Sequence, residues 1–154
     1  IALEAFRHLD APLWVVGTGQ EAARLSTGAL PANIRFLGSV PTEALVGLYR
    51  DARALLFTPE EDFGIVPVEA QAAGRPVIAY GRGGALETVS EQTGIFFDAQ
   101  TPESLADAVR RFEAWEPGFQ PALARAQAER FSRAAFQRAI QAQVDALMGT
   151  HAAP

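Results

Sequence analysis

Cysteine is missing from all 154 residues, and so is lysine, since each of the 13 basic side chains is an arginine. Without thiols the chain has no disulfide, no cysteine nucleophile and no thiolate metal site. Without lysine, any cationic contact to a phosphate must come from arginine. Acids outnumber bases 18 to 13, the formal charge is −5 and no basic run occurs, which excludes nucleic acid and anionic lipid as partners. No apolar stretch approaches the roughly 20 residues of a membrane span. The opening Ile1-Ala2-Leu3-Glu4-Ala5-Phe6 lacks the basic start of a signal peptide, so no transmembrane segment and a soluble, cytoplasmic domain are expected. There is no Asp-x-Asp pair, and no metal or other cofactor is expected. Histidine occurs only at His8 and His151, one in an apparent surface helix and one in the tail, and neither is a catalytic candidate.

What the chain does have is apolar residues, at 49%, enough for one core. A single domain over residues 1–148 is expected, with 149–154 as a frayed tail. Ile1, Leu3, Ala5, Phe6 and Leu9 follow a helical stripe with no helix start before them. Short apolar runs at 13–16, 34–37, 54–57, 77–80 and 94–97 then alternate with helical patterns beginning near Gln20, Thr42 and Pro67. Strands apolar on both faces that alternate with helices indicate a Rossmann-like α/β fold, a parallel sheet flanked by helices. Beyond Phe97 the pattern is helical. Pro102 opens one helix, Gly118 and Pro121 separate it from the next, and Phe131, Phe136, Ile140, Val144 and Leu147 recur as one face that should be buried.

Ligands of open parallel sheets sit beyond the carboxyl ends of the strands, and the third such loop is the richest. Glu60, Glu61 and Asp62 precede Phe63 and Gly64, and Pro67 suits the first position of the following helix because its missing N–H would be unpaired there. The amides of Gly64, Ile65 and Val66 can then face an anion, assisted by the helix dipole. Glu69, read as lying in the first helical turn, and Glu61 flank that cluster, and carboxylates accept hydrogen bonds from the vicinal hydroxyls of a sugar. A diphosphate with sugar on both sides is a nucleotide-sugar. From position alone Glu69 also reads as a helix cap and Glu61 as part of a solvated loop. Gly17-Thr18-Gly19 lacks the third glycine of a dinucleotide fingerprint.

The wording Glu61-Asp62-Phe63-Gly64-Ile65-Val66-Pro67-Val68-Glu69-Ala70, with Ala73-Gly74-Arg75-Pro76-Val77-Ile78-Ala79 and Gly83-Gly84-Ala85-Leu86-Glu87-Thr88-Val89 after it, resembles the signature block of family 4 retaining glycosyltransferases. It is nearest in wording to bacterial mannosyltransferase-like members. Val15-Val16-Gly17-Thr18-Gly19 and Asn33-Ile34-Arg35-Phe36-Leu37-Gly38-Ser39-Val40 extend the resemblance over nearly the whole chain. It implies the C-terminal, donor-binding half of a GT-B enzyme. In that family the first Glu of the pair lies beside the donor hexose, which implies a catalytic role for Glu61. Phe63, Gly64, Ile65 and Val66 would cradle donor sugar and phosphate, Glu69 would bind ribose, and Gly17, Gly19, Gly38, Ser39 and Val40 would lie near the base. Glu87 is read as structural.

The resemblance further implies a strand ending in Gly-Arg, with a Lys following it, ahead of Ile1. That places the first strand of the domain, its cationic pair and an N-terminal acceptor-binding domain outside this chain. The parent enzyme is expected to transfer a hexose, mannose from GDP-mannose being favoured and UDP-glucose second, to an acceptor hydroxyl in polysaccharide biosynthesis. Peripheral contact with the inner membrane would run through the absent domain, and the 154 residues alone should be inactive. The alternatives are a nucleotide-binding module without transferase activity, an enzyme resembling nucleotide-sugar 2-epimerases, and a structural partner that binds no nucleotide.

Overall fold

The computed structural model describes residues 1–27 and 30–150, except for the side chain of Thr150. In chain order the elements are α1 (Ala2–Phe6), β1 (Leu13–Val16), α2 (Ala22–Ser26), β2 (Ile34–Gly38), α3 (Thr42–Asp51), β3 (Leu55–Phe57), α4 (Ile65–Ala72), β4 (Val77–Tyr80), α5 (Ala85–Thr88), β5 (Gly94–Phe97), α6 (Pro102–Trp115), a 3-10 turn (Glu116–Gly118), α7 (Pro121–Glu129) and α8 (Arg133–Thr150). The alternation of strand and helix up to β5 is the one read from the apolar runs. All strand pairs are parallel, but they do not form the single sheet expected. Strands β1 and β2 make one sheet, and β3, β4 and β5 make a second with β4 in the middle. The chain is therefore an α/β fold of two parallel sheets whose facing edges, β1 and β3, are not hydrogen-bonded to each other.

Burial follows position in the sheets. Strand β4, flanked on both sides, has Val77, Ile78 and Ala79 fully buried. In β1 Leu13 is buried while Trp14 and Val16 are exposed. Helix α6 opens with Thr101 as its cap, the hydroxyl accepting from the Ser104 amide at 3.2 Å, and Pro102 stands where no amide is needed. Its stripe of Leu105, Ala108, Val109 and Phe112 joins Ala5, Phe6, Ile34, Ile78 and Phe97 in one core. Each such large side chain contributes about 1.5–3 kcal/mol on burial. A smaller core of Phe57, Ala70, Val77, Ala79, Ala85 and Val89 lies under α4 and α5.

One expectation about the C-terminal region fails. The stripe of Phe136, Ile140, Val144 and Leu147 is exposed, Phe136 at 65%, and none of the four joins either core. Only Phe131, just before α8, packs inward, edge-on against Phe63 with ring centroids 5.5 Å apart. Helix α8 extends to Thr150. Residues 151–154, including His151, lie outside the described residues.

Asn33 closes the turn between α1 and β1, its amide nitrogen donating to the carbonyls of Phe6, Leu9 and Ala11 at 2.9–3.0 Å. A part-buried carbonyl that loses its donor costs about 1–3 kcal/mol. Asn33→Ala is therefore expected to lower the unfolding free energy by about 2 kcal/mol or more, measured by urea denaturation. A change below about 0.5 kcal/mol, the range of surface substitutions, would show that this junction holds without it.

Candidate functional site

Helix α4 begins two residues earlier than the sequence suggests. Gly64 adopts φ +72° and turns the chain so that Ile65 is the first helical residue. A Cβ at Gly64 would lie 2.8 Å from the Phe57 ring, so both the backbone conformation and the space require glycine. Pro67 is consequently the third helical residue, not the first. Its lack of an N–H remains harmless, because the first four amides of a helix have no intrahelical acceptor. Glu69 moves with it. It is the fifth residue, in the second turn rather than the first, where the dipole effect has largely faded. That weakens the reading of Glu69 as a cap.

Among the described residues, no protein group accepts from the amides of Gly64, Ile65 or Val66. Three adjacent free donors at a helix N-terminus are suited to an anion, and Ile65 and Val66 are exposed. The loop ahead of them is held from the far side by the double glycine. The Gly84 amide donates to the Glu61 carbonyl at 2.8 Å. A Cβ at Gly84 would stand 2.4 Å from the Phe63 Cα, and one at Gly83 the same distance from the Glu61 carbonyl oxygen. Backbone thus rests directly on backbone. The Glu61 side chain is left exposed beside this clamp, and Phe63 is fixed by Phe131.

Among the described residues the Glu69 carboxylate has one hydrogen-bond partner, Tyr49 of α3, whose hydroxyl donates to Oε2 at 3.0 Å. Burial first, then the bond to Glu69 and the carboxylate charge, push the Tyr49 phenol above its ordinary range. It therefore stays a neutral donor. The other residues expected at the site lie at the carboxyl ends of β1 and β2. Gly17 donates to the Gly38 carbonyl at 2.8 Å, and the Gly19 carbonyl accepts from Ala22 at 2.9 Å. Ser39 is exposed and Val40 half-buried.

A cavity of about 620 Å³ lies between the two sheets, lined by Trp14, Val15 and Val16 of β1, by Leu55 and Leu56 of β3, and at one end by Thr58, Val66 and Glu69. Val66 and Glu69 are thereby brought to one space. Glu61, Phe63, Gly17, Gly19, Gly38, Ser39 and Val40 do not line it. Among the described residues no three His, Asp or Glu side chains converge to hold a metal ion. Two contributions were not read from the sequence. Tyr49, in a helix of apolar pattern, reads as core, and the close approach of Gly83 and Gly84 requires knowing which backbone they meet.

The family description "Glycosyl transferases group 1" matches residues 1–138. The chain is 41% identical over 78 residues to D-inositol 3-phosphate glycosyltransferase of Corynebacterium urealyticum, a stretch that covers 49% of this chain and 18% of that protein. It is 50% identical over 64 residues to alpha-1,3/1,6-mannosyltransferase alg2 of Schizosaccharomyces pombe, covering 41% and 13%. Among solved structures, sucrose-phosphate synthase of Thermosynechococcus elongatus superposes with TM-score 0.72 at 25% identity, over 97% of this chain and 42% of that one. Anabaena HepE in complex with UDP superposes with TM-score 0.75 at 22% identity, over 94% and 44%, a likeness of fold. The matches span less than a fifth of these curated relatives' length and less than half of these solved chains. With parallel sheets flanked by helices, a helical C-terminal region and the family match over residues 1–138, the chain belongs to the group 1 glycosyl transferases and has the fold of GT-B glycosyltransferases.

Proposed function

We propose that this chain is the donor-binding half of a retaining glycosyltransferase that moves a hexose from a nucleoside diphosphate sugar to an acceptor hydroxyl. The observation that carries the reading is the row of unpartnered amides at Gly64, Ile65 and Val66, with Glu69 one turn along the same helix and Glu61 exposed just ahead of it. The amides suit a diphosphate, and a carboxylate on either side suits sugar hydroxyls. The UDP named in the HepE structure supports a nucleoside diphosphate at the site, and the mannosyltransferase name of alg2 supports mannose as the sugar. Mannose from a GDP-sugar is the favoured donor, UDP-glucose the second. Gly17, Gly19, Gly38, Ser39 and Val40 are assigned to the side of the base, and no metal or other cofactor takes part.

In this proposal the amides bind the diphosphate in the ground state and stabilise its growing charge as it leaves. Glu61 orients the hexose and supports its positive character. The 154 residues bind the donor without turning it over. The cationic pair and the acceptor site belong to polypeptide preceding Ile1, whose last strand takes the apolar slot between β1 and β3. The unpaired edges of those two strands, both facing the cavity of about 620 Å³, support that completion, since parallel sheets are otherwise continuous and covered.

In the complete enzyme, Glu69→Ala is expected to weaken nucleoside diphosphate binding by roughly 1.5–3 kcal/mol, the value of hydrogen bonds to a charged group, and to leave the fold intact. Calorimetry with GDP and UDP, run beside thermal melts, reads both. Unchanged affinity with lower stability would return Glu69 to a capping role.

Glu61→Gln keeps the shape of the side chain and removes its charge, so it should act on the transition state more than on docking. A fall in kcat of about 10²-fold or more is expected, with little change in inhibition by free nucleoside diphosphate. The assay is a donor panel of GDP- and UDP-sugars on the complete enzyme, with the 154-residue chain alongside giving no glycoside. Near-normal kcat in the variant would remove Glu61 from the site, and turnover by the short chain would overturn its role as a half.

A further inference from the structure

Glu69 stands on a boundary. It lines the cavity of about 620 Å³ between the sheets and also a second cavity of about 510 Å³, bounded by α3, α4 and α7, whose lining includes Arg50 and Arg125. Tyr49 lines both as well. The Tyr49 hydroxyl bonded to Glu69 Oε2 at 3.0 Å therefore forms part of the partition between the two spaces. Tyr49 is half-buried and packs against the core under α4, which anchors its hydroxyl, whereas Glu69 is an exposed side chain. Among the described residues Glu69 makes no ion pair, and neither Arg50 nor Arg125 pairs with any acid. Two unpaired guanidinium groups in the outer cavity attract a carboxylate that can swing towards them.

We infer that Tyr49 is a positioning residue that holds the Glu69 carboxylate at the mouth of the inter-sheet cavity and away from Arg50 and Arg125, so that one carboxylate oxygen stays free for the vicinal hydroxyls of a nucleotide ribose. The inference rests on the ribose-binding reading of Glu69 and adds to it the residue that keeps that group available. The phenol is suited to the task because it binds the carboxylate as a neutral donor. An arginine in its place would form a bidentate pair and occupy both oxygens.

The test measures affinity of the 154-residue chain for GDP and UDP and for their 2′,3′-dideoxy analogues, by ligand-observed NMR titration to millimolar concentration. The ratio of ribo to dideoxy affinity reports the hydroxyl contact alone. Wild type should favour the ribonucleotide by about tenfold, and Glu69→Ala should abolish the preference. Tyr49→Phe, which keeps the ring and its packing, should reduce the preference at least about threefold. Adding Arg50→Gln and Arg125→Gln to Tyr49→Phe should restore part of it, because the carboxylate then has nothing to swing towards. No preference in wild type, or one that survives Glu69→Ala, overturns the ribose reading and this inference with it. A preference lost in Glu69→Ala but intact in Tyr49→Phe overturns the role of Tyr49 alone, and so does failure of the arginine changes to restore it.

Discussion

The Gly84 backbone lies against the backbone of Phe63 at a separation that admits no side chain, and the rest of the site depends on that contact. With the Gly84 amide bonded to the Glu61 carbonyl, it turns a loop carrying three consecutive acids into a rigid step. From that step the chain passes through Gly64, at φ +72°, into α4. The three free amides and Glu69 are thereby set on one helix whose start is determined by packing. Loops built this way suit recognition, because the ordering cost is met on folding and not again on binding.

The strands supply the frame for that step. Central β4 is buried from Val77 to Ala79, and α6 locks it and β5 to α1 through a single apolar core. The opposite edge of β3 and the facing edge of β1 are unpaired with each other, and the apolar surface between them is one unfilled feature of the fold. The exposed stripe on α8 is another. Both lie on the surface of a chain whose matches cover under half of the solved structures reported above. Apolar patches of this kind mark surfaces that meet another element.

Much of this was legible in the residues. Short runs such as Leu13-Trp14-Val15-Val16 and Val77-Ile78-Ala79-Tyr80 are too brief for helices and too apolar for loops, so the alternating α/β order follows from them directly. What failed had specific physical causes. Pro67 suits several early helical positions, and the positive φ of Gly64, which no sequence pattern shows, decides among them and starts α4 at Ile65. The α8 stripe shows that a face is apolar without saying what covers it. Division into two sheets is invisible to periodicity, which records that strands exist and not which edges meet. Tyr49 escaped notice because a tyrosine on an amphipathic helix differs from a core residue only through the one atom that Glu69 meets 20 positions away. Glu61 and Glu69 were singled out by their position around the amide cluster, and the group 1 family match agrees with the resemblance of the motif that contains them.

The central claim is that the amides opening α4 receive the diphosphate of a nucleotide-sugar. Its most direct test is a titration of the ¹⁵N-labelled chain with GDP and UDP, followed through backbone amide resonances. The account predicts saturable shifts led by Gly64, Ile65 and Val66, with smaller changes at Gly17 and Gly38 and none along α8. Shifts absent from residues 64–66 at saturating nucleotide, or confined to the outer cavity of Arg50 and Arg125, would contradict it.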